Sequence, residues 1–580
     1  MRTSGSKRRA ATGILAAVAA LLFTATAGYA DPGAVSGGRP ENRNTVHGEP
    51  SHGDLWPSCH GDDGALYTAN GDGIGFAPPH AQDPVTEDIV FNRVSGSPYW
   101  TSTRSPIVGS AVSVGGNPAD AGPGKTIGQI WTGGGEYNRK PTGLLCVDHT
   151  FYLAVQDLRK DFSVAPAATI LKSTDHGKTW TWNQDKPMFG GFPFQHRFTT
   201  VFFLDYGRDS VNSPDPEHVY AYGLDESWAM RQDLYLARVP KSSIQDVTTW
   251  QWSTGPGTWS ASGVMDRAAV IHDDAGHLSQ GSVVYDKPLG RYIYTSWSET
   301  ATDKNAGVLG GSTWEFYESP APWGPWTRFA TTDFGPKCGL DEKAIWTPDK
   351  HAGYATTTPS KFLSPDGRTM WVQSNVLFVH DPGNPRPGCP SPQGAPDHFG
   401  GYSFSLRPLW LTTPDNLLRD PGFEGQQQLL VAGQLLPVGP LGAPWATEGP
   451  DLKGTDIGAG LASSGAGNAW IHPFNRSTRA WNAITQDVGS ADTPIHPHTR
   501  YTLRAQVQTS SSLTAGFFGV RGADGRTVLA ETSFARQGTY TELTVGFDSG
   551  DNTALKVFAG YWAPGTDSWL RLDGVGLAPG

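Results

Sequence analysis

The chain has few charged residues and no long apolar run beyond its N-terminus. Charged side chains make up 17% of its 580 residues, and no later run reaches the roughly 18 apolar residues that a membrane-spanning helix needs. Glycine shows no collagen-like period and no long heptad stretch occurs, which excludes the fibrous classes. We therefore expect a protein that does not insert into a membrane.

Glycine, proline and tryptophan, in contrast, are abundant. The chain contains 72 Gly, 45 Pro and 21 Trp, and aromatic residues reach 11%. Disordered chains are poor in aromatics, so this composition indicates a folded, turn-rich protein. The formal net charge of −11 makes nucleic acid and anionic lipid poor partners.

Residues 1–30 have the parts of a signal peptide. A basic stretch is followed by an apolar stretch from Ile14 to Phe23, and small residues at Gly28 and Ala30 suit a cleavage site. We predict cleavage after about Ala30 and a secreted, extracellular protein. A general secretory route is favoured over a twin-arginine route because the usual hydrophobic pair is missing. The basic residues are Arg2, Lys7, Arg8 and Arg9.

Cysteine usage agrees with export. Four cysteines in an oxidising compartment favour two disulfides, and three connectivities are open. No pair has the short spacing of a zinc site. We predict that sequence neighbours pair, as Cys59–Cys146 and Cys338–Cys389.

Strand-like segments dominate the chain after a polar, aperiodic stretch over 31–50, which predicts a flexible leader. From 51 to 413, short strands rich in aromatic and β-branched residues alternate with Gly, Pro, Asp and Asn turns. The hairpins recur at intervals of roughly 60–80 residues, which predicts an all-β fold with a five-bladed β-propeller. A single large barrel is the alternative.

One local motif supports the propeller. The segment Ser173–Trp180 matches S-x-D-x-G-x-x-W, the Asp-box found on hairpin turns of sialidases and other propellers. An Asp side chain can bond turn amides, and Gly allows the tight backbone. The motif therefore predicts a structural role for Asp175 on the outer edge of a blade.

The sequence pattern changes near Pro414. Over residues 414–580, short alternating strands predict a β-sandwich. The opening NLLRDPGFE and the closing LDGVGL resemble the first and last strands of jelly-roll carbohydrate-binding modules, whose ends pair in one sheet. The resemblance implies a structural calcium ion beside Glu424 and Asp573, since oxygen ligands suit calcium. The alternative is that both are solvated acids at strand ends. Flat rings suit sugar faces, and the candidates in this region are Trp470, Trp481 and Trp562.

The densest group of reactive side chains lies in the segment Cys59–Gly73. Asp62 and Asp63 precede its strand, Asp72 follows it, and His60 comes first. In an extended chain Asp62 and Asp63 point in opposite directions, so at most one of them faces a central channel. The alternative is that these acids belong to simple Asp-Gly turns.

The pattern W-x5-D-D-G-x-L-Y-x3-G-D-G, which begins at Trp56, indicates a family resemblance. Together with PAPWGPW (320–326) and LSPDGRT (363–369), it resembles a family of exported five-bladed propellers known mainly as a domain of unknown function. Some distant relatives in that family are endo-D-arabinanases. The resemblance covers about residues 51–413 and implies cleavage of a glycan without fixing the sugar.

The resemblance also implies catalytic roles. Propeller glycosidases use two carboxyl groups that flank the scissile bond, one of them protonated. Carried over, Asp62 or Asp63 is the base or nucleophile. The nearest positional match for the acid is Glu226, with Asp266 and Glu342 as rivals.

Basic and aromatic residues form a second constellation. An arginine among apolar residues is usually paired with a carboxylate. It could instead hold a uronate, and with His60, His80 or Tyr137 as base this arrangement would suit β-elimination by a polysaccharide lyase. The substrate-binding candidates are Asp72, Trp131, Tyr137, Arg139, Arg197, Trp228 and Arg267.

The sequence therefore predicts a secreted carbohydrate-active enzyme, a glycoside hydrolase acting on a plant or microbial polysaccharide of the arabinan or arabinogalactan type. The alternatives are a polysaccharide lyase and a secreted glycan-binding protein without catalysis. We expect no catalytic cofactor, a polysaccharide or oligosaccharide as partner, and a monomer.

Overall fold

The computed structural model describes most of the chain from residue 34 onward, within the compact unit Pro32–Gly580. No helix in these segments is long and apolar enough to cross a membrane. The signal peptide, His80, Trp131, Cys338, Glu342 and Cys389 lie outside the described residues. The described residues are 34–40, 46–47, 51–76, 89–96, 98, 108–113, 137–183, 185–299, 311–336, 354–375, 404–431, 434–473, 480–491, 493–562 and 567–580.

Antiparallel sheets follow one another along the first two thirds of the chain. In the first sheet the innermost strand is divided into β3 and β4, and both pieces pair with β5. The second sheet, β8 to β11, is a meander. The strands up to this point are β1 (Gly37–Pro40), β2 (Val46–His47), β3 (His52–Asp54), β4 (Ser58–His60), β5 (Leu66–Gly75), β6 (Val90–Ser95), β7 (Val108–Ser113), β8 (Tyr137–Val147), β9 (Thr150–Arg159), β10 (Ala167–Ser173) and β11 (Phe189–Gly190).

The third and fourth sheets are joined through their first strands. These strands, β12 and β18, run parallel, with Leu204 opposite Val283. Short 3-10 turns occur at Arg208–Ser210, Lys241–Ser243 and Val247–Thr249. The strands are β12 (Thr200–Asp205), β13 (His218–Leu224), β14 (Asp233–Pro240), β15 (Gln251–Gly255), β16 (Thr258–Ser260), β17 (Ala269–His272), β18 (Ser282–Asp286), β19 (Arg291–Glu299), β20 (Gly311–Ser319) and β21 (Thr327–Pro336).

The fifth sheet includes strands from the N-terminus. Both β1 and β2 pair with β24, and Gly37 lies opposite Thr412. The expectation of a flexible leader over 31–50 is therefore corrected for β1 and β2, because backbone hydrogen bonds hold them against a distant strand. A 3-10 turn spans Ser360–Phe362, and the other strands are β22 (Tyr354–Thr357), β23 (Thr369–Asn375) and β24 (Phe404–Thr412).

Hydrogen bonds between innermost strands link neighbouring sheets in a ring. The Thr142 hydroxyl on β8 donates to the Val201 carbonyl on β12 over 2.6 Å. The Thr357 hydroxyl on β22 donates to the Trp56 carbonyl over 3.3 Å, so the fifth sheet meets the first. Radial sheets closed in this way form a β-propeller. The predicted all-β propeller is confirmed. The described segments contain five such sheets when the ten-stranded sheet that β12 and β18 join is counted as two.

A disulfide joins the first two sheets at their inner strands. Cys59 on β4 and Cys146 on β8 are bonded, with their Cα atoms 5.6 Å apart. This predicted pairing is confirmed. The other predicted pair, Cys338–Cys389, lies outside the described residues.

The Asp-box forms the turn between β10 and β11. Asp175 Oδ1 accepts the Thr179 amide over 2.9 Å, and Ser173 Oγ accepts the Gly177 amide over 2.9 Å. The Trp180 indole donates to the Gly177 carbonyl over 3.0 Å. These bonds stay within the turn, which confirms the structural role of Asp175.

Residues after Thr413 form two antiparallel sheets over one apolar core. The amide of Leu417 donates to the Leu577 carbonyl over 2.8 Å, so the two ends of this β-sandwich meet. Its strands are β25 (Leu430–Val431), β26 (Gln434–Leu435), β27 (Val438–Pro440), β28 (Ala446–Glu448), β29 (Leu452–Ile457), β30 (Gly467–His472), β31 (Trp481–Val488), β32 (Arg500–Thr509), β33 (Gly516–Gly522), β34 (Val528–Phe534), β35 (Thr541–Asp548), β36 (Leu555–Trp562) and β37 (Leu570–Pro579).

Candidate active site

The innermost strand of the first sheet is interrupted by two residues in a rarely populated backbone conformation. Leu55 has φ 75° and Trp56 has φ 49°, and both are fully buried. Such residues cost on the order of 1–3 kcal/mol each and persist where surrounding structure holds them, often at functional sites. The Trp56 indole supplies one such contact, donating to the Gly53 carbonyl over 2.9 Å. Asp54 is the residue immediately before this interruption of the strand.

Asp54 lies at the start of the inner strands, where three sheets converge. Its carboxylate oxygens are each 3.3 Å from Lys140 Nζ on β8. The Tyr354 hydroxyl on β22 donates to Asp54 Oδ2 over 2.9 Å. Asp54 is 3% exposed and Lys140 is 2% exposed. A neighbouring ammonium and a hydroxyl donor favour the ionised carboxylate. We call Asp54, Lys140 and Tyr354 the Asp54 cluster.

Aromatic rings from the other two sheets surround this cluster. Trp228, in the connection between β13 and β14, lies 5.4 Å from the Tyr354 ring and 5.0 Å from the Trp297 ring on β19. Trp297 is itself 5.4 Å from Tyr354. All five sheets of the propeller therefore contribute a side chain or a ring to one end of the inner strands.

Asp72 reaches the same region through strand register. Asp54 pairs with Gly71, the residue before Asp72. A Cβ atom at Gly71 would lie only 2.7 Å from Asp54 Oδ1, so glycine permits the close approach of the two strands. The backbone of Asp72 is therefore next to the register partner of Asp54.

Asp62 and Asp63, the two alternatives predicted for the base or nucleophile, lie at the other end of the inner strand. They form the turn between β4 and β5, eight residues or more after Asp54, which is about 25 Å of extended chain. The Asp63 carboxylate accepts the Ala65 amide and the Tyr67 hydroxyl, each over 2.9 Å. The structure does not bring this turn to the Asp54 cluster.

The other contacts of this turn are charged. Asp62 lies 2.8 Å from both His149 Nδ1 and His176 Nε2, and Arg93 Nη2 is 2.8 Å from Asp63 Oδ2. Burial, together with positive charges nearby, lowers the pKa of His60 to about 4. A neutral His60 and paired aspartates agree with the alternative that this segment is a structural turn.

Glu226, the predicted acid, lies on the same side of the propeller as Asp54. It is two residues before Trp228, which packs on Tyr354, a member of the Asp54 cluster. Its carboxylate forms an ion pair with Arg231, and its amide donates to the His196 carbonyl over 2.6 Å. The rival Asp266 accepts a hydrogen bond from Ser260 over 2.5 Å.

Arg267, a predicted substrate-binding residue, is engaged within the protein. Its Nη2 atom lies 2.7 and 2.5 Å from the two oxygens of Asp225, and its guanidinium stands 3.9 Å from the Tyr235 ring centre. Burial raises the pKa of Asp225, and the positive charges of Arg267 and Arg197 oppose that rise. The alternative of a structural salt bridge therefore describes Arg267.

The remaining predicted substrate residues fall in different environments. Arg139 and Tyr137 lie on β8, near Lys140, and Arg139 is fully buried while Tyr137 is half-buried. Arg197 lies in the connection between β11 and β12. Asp72 is placed by its backbone alone, as described above.

A cleft of about 890 Å³ lies between the third and fourth sheets. Glu226, Tyr235, His277 and Glu315 are among its lining residues. Burial raises the pKa of Glu315, whose Oε1 atom accepts a hydrogen bond from Arg328 over 2.9 Å. The sequence analysis did not identify His277 or Glu315, since neither belongs to a local motif.

The predicted tryptophans of the sandwich separate onto its two sheets. Trp470 lines a cleft of about 350 Å³ together with Trp569, Asp456 and Arg571. Trp481 and Trp562 lie 5.7 Å apart on the other sheet. Trp569, which the sequence analysis did not single out, is therefore the ring that accompanies Trp470.

Glu424 and Asp573, the predicted calcium ligands, approach each other beside a third carboxylate from the propeller. A Cβ atom at Gly422 would lie 3.6 Å from Asp366 Oδ2, 3.9 Å from Asp573 Oδ1 and 3.5 Å from Glu424 Cγ. Burial raises the pKa of Glu424 to about 7 and that of Asp573 to about 6. Backbone amides already donate to Glu424 Oε1 and to Asp573 Oδ2, and carboxylate oxygens are the ligands that calcium prefers.

The fold and this arrangement define a β-propeller protein with a buried carboxylate and aromatic rings at one end of its inner strands, followed by a β-sandwich. Residues 63–372 match the family model described as "Domain of unknown function (DUF4185)". The chain belongs to this family. No curated protein matches it.

This chain is similar to solved structures that share little sequence identity with it. One is a glycoside hydrolase family 43 arabinoxylan arabinofuranohydrolase from Bacillus subtilis, 12% identical, with 91% of this chain and 96% of that chain covered and a TM-score of 0.34. Another is an exo-β-1,3-galactanase from Phanerochaete chrysosporium, 10% identical, with 92% and 100% covered and a TM-score of 0.33. A third, TmCBM61 in complex with β-1,4-galactotriose, is 14% identical and covers 28% of this chain and 99% of its own, with a TM-score of 0.21.

Proposed function

We propose that this protein is a glycoside hydrolase that cleaves a polysaccharide of the arabinan or arabinogalactan type at the Asp54 end of the propeller. The observation that carries the proposal is the Asp54 cluster, in which a buried carboxylate is held by Lys140 and Tyr354. A base or nucleophile needs a carboxylate that is held in a fixed orientation in this way. The half-buried Trp228 ring offers a flat face against which a sugar ring can pack, and the buried Trp297 ring packs against it.

Hydrolysis of a glycosidic bond needs a second carboxyl group that donates a proton to the leaving oxygen. Two residues on the same side of the propeller are candidates. Asp72 follows the register partner of Asp54, and Glu226 precedes Trp228 in the connection between β13 and β14. We assign the acid to one of these two, and Asp54 replaces Asp62 and Asp63 as the proposed base or nucleophile.

The test is a set of carboxyl-to-amide substitutions in the full chain. We expect Asp54→Asn to lower turnover about 10³-fold, with one of Asp72→Asn and Glu226→Gln having a comparable effect. Asp62→Asn and Asp63→Asn are matched controls and should keep turnover, since the partners of these carboxylates, His149, His176 and Arg93, do not belong to the Asp54 cluster. Reducing sugar released from arabinan, arabinogalactan, rhamnogalacturonan and gums is measured, and the melting temperature checks folding. Full turnover in Asp54→Asn, or its loss in Asp63→Asn, would contradict the assignment.

The same assay distinguishes the alternatives. Ultraviolet absorbance of an unsaturated uronate product indicates elimination by a lyase, for which the pairing of Arg267 with Asp225 leaves less support. No product from any polysaccharide, combined with retained binding in a pull-down, indicates a glycan-binding protein without catalysis.

We also propose that the sandwich binds sugar rings in the cleft lined by Trp470 and Trp569. Two partly exposed rings beside Asp456 and Arg571 combine apolar faces with hydrogen-bonding groups, which suits carbohydrate. Affinity electrophoresis on the same polysaccharides measures this binding independently of turnover.

Finally, we propose that the protein is exported and that calcium binds at Asp366, Glu424 and Asp573. Export is supported by the N-terminal sequence pattern and by the disulfide between Cys59 and Cys146. N-terminal sequencing of protein recovered from the medium should begin at Asp31. A start at Met1 would contradict cleavage.

A further inference from the structure

Three potential metal ligands meet on the wall of the cleft between the third and fourth sheets. Asp273 and His277 lie in the connection between β17 and β18, and Glu315 lies on β20. His277 Nδ1 is 3.1 Å from Glu315 Oε1 and 3.6 Å from Asp273 Oδ2. One ligand atom from each of the three residues lies within 4.8 Å of the other two.

These separations suit one shared ion. Zinc binds imidazole nitrogen and carboxylate oxygen at about 2.0–2.2 Å, which places adjacent ligand atoms roughly 3–4 Å apart around the metal. Two of the three ligand atoms come from the connection between β17 and β18 and the third comes from β20, so the fold rather than a local motif brings them together.

A second observation points to an absent partner. The Glu315 side chain is 2% exposed, and its Oε2 atom is buried without a hydrogen bond to any described residue. Buried carboxylate oxygens are normally satisfied. Glu315 Oε1, in contrast, is shared by His277 and Arg328, so the free oxygen belongs to the same carboxylate that faces the other two ligands.

The local charge also favours a cation. Asp273 and Glu315 bring two negative charges, and Arg328, 2.9 Å from Glu315 Oε1, brings one positive charge. A histidine that binds a metal is neutral, so two carboxyl groups and one guanidinium would surround a bound ion. Arg328 contacts the same Glu315 carboxylate through Oε1 and can orient it, as outer partners of metal ligands do.

We propose that Asp273, His277 and Glu315 bind a divalent cation of the zinc or manganese type. Mixed nitrogen and oxygen ligands select this class over calcium and magnesium, which prefer oxygen alone. Three protein ligands leave coordination positions for water or for an oxygen of a molecule bound in the cleft. None of the three ligands belongs to the Asp54 cluster, although Glu226, a candidate acid, lines the same cleft, and binding of the ion does not depend on the proposed hydrolase activity.

A neighbouring histidine provides the matched control. His272 Nδ1 is 2.7 Å from Asp233 Oδ1, while its Nε2 is 3.0 Å from Asp274 Oδ1. The two carboxylates approach different ring nitrogens, so a single ion cannot be shared by all three side chains. His272 is thus a histidine with two acidic neighbours that lacks the converging geometry of His277.

The experiment uses the full chain without an affinity tag. Protein is dialysed against EDTA, titrated with ZnCl₂ or MnCl₂ by calorimetry, and analysed for bound metal after gel filtration. We expect about one ion per chain, an at least tenfold loss of affinity in His277→Ala and Glu315→Gln, and unchanged affinity in His272→Ala. Melting curves in EDTA verify folding, and Asp273→Asn replaces any variant that does not fold. Absence of bound ion in the wild type, or wild-type affinity in His277→Ala, would overturn the proposal.

Discussion

At the residue scale, buried carboxylates of this chain differ in how many donors reach them. The Asp54 carboxylate contacts both Lys140 and Tyr354. Asp205, at the end of β12, accepts the Gly207 amide through Oδ1 over 2.8 Å, whereas its Oδ2 is buried without a well-aligned hydrogen bond among the described residues. Ser360 is a neighbouring donor that opposes, without cancelling, the effect of burial on the pKa of Asp205. Burial raises the pKa of Asp205 to about 6. A carboxyl group with too few donors is therefore a cost to the folded state whenever it is ionised.

This difference predicts the effect of Asp205→Asn. The unfolded carboxyl ionises near pH 3.8 and the folded one near pH 6, so the folded state keeps a proton that the unfolded state has lost between these values. Stability therefore falls as pH rises from about 4 to about 6 and stays lower above that range. Asn cannot ionise and therefore removes this loss. We expect the free energy of unfolding to rise by about 2–3 kcal/mol at pH 8 and to change little near pH 4. Urea unfolding at both pH values measures it.

The control for Asp205→Asn is Asp63→Asn, which removes an acceptor instead of an unsatisfied charge. Asp63 accepts hydrogen bonds from Ala65, Tyr67 and Arg93, so this variant should lose stability at pH 8. An equal gain for Asp205→Asn at both pH values would show that ionisation of Asp205 is not the cause.

The sequence predicted residues whose partners are close along the chain and missed those whose partners are distant. The Asp-box role of Asp175 depends on contacts within four residues, and it is confirmed. Asp54 was not identified, because its partners Lys140 and Tyr354 are 86 and 300 residues away. No local pattern reports a contact that exists only once the ring of sheets has closed.

At the element scale, the same distinction separates strands from their pairing. The hairpins of the propeller were predictable because alternating side chains and turn residues are local. Strand β1, in contrast, is short and polar and is a strand only because β24 lies beside it, with Pro40 opposite Leu409. Strand pairing in the sandwich was equally unpredictable, because no local pattern indicates that Trp470 and Trp481 lie on different sheets.

The division between the sandwich sheets predicts different effects of two ring substitutions. Trp569→Ala removes a ring from the cleft that contains Trp470, and we expect about tenfold weaker polysaccharide binding, as loss of roughly 1.4 kcal/mol of stacking implies. Trp562→Ala removes a ring that is 44% exposed on the opposite sheet and should leave binding unchanged. Affinity electrophoresis of the full chain measures both. Weaker binding in Trp562→Ala alone would show that the sugar binds on the other sheet.

At the scale of the whole molecule, the propeller and the sandwich share a polar boundary. Arg368, in the turn before β23, lies 3.3 Å from Asp415 at the start of the sandwich. Asp366, in the same turn, places Oδ2 beside Gly422, while its Oδ1 accepts the Arg368 amide over 3.0 Å. One carboxylate oxygen of the propeller is thus oriented by its own turn, and the other faces the acids of the sandwich.

Calcium at this boundary should therefore stabilise the whole chain and not the sandwich alone. Negative charges from Asp366, Glu424 and Asp573 repel one another without a cation, so we expect CaCl₂ to raise the melting temperature by about 5 °C relative to EDTA, and MgCl₂ to do less. Asp366→Asn should reduce the response to calcium although it lies in the propeller. Asp415→Asn, which breaks the neighbouring ion pair with Arg368, is the control and should respond like the wild type. If Asp366→Asn responds fully while Glu424→Gln does not, the ion belongs to the sandwich alone and does not join the two parts of the molecule.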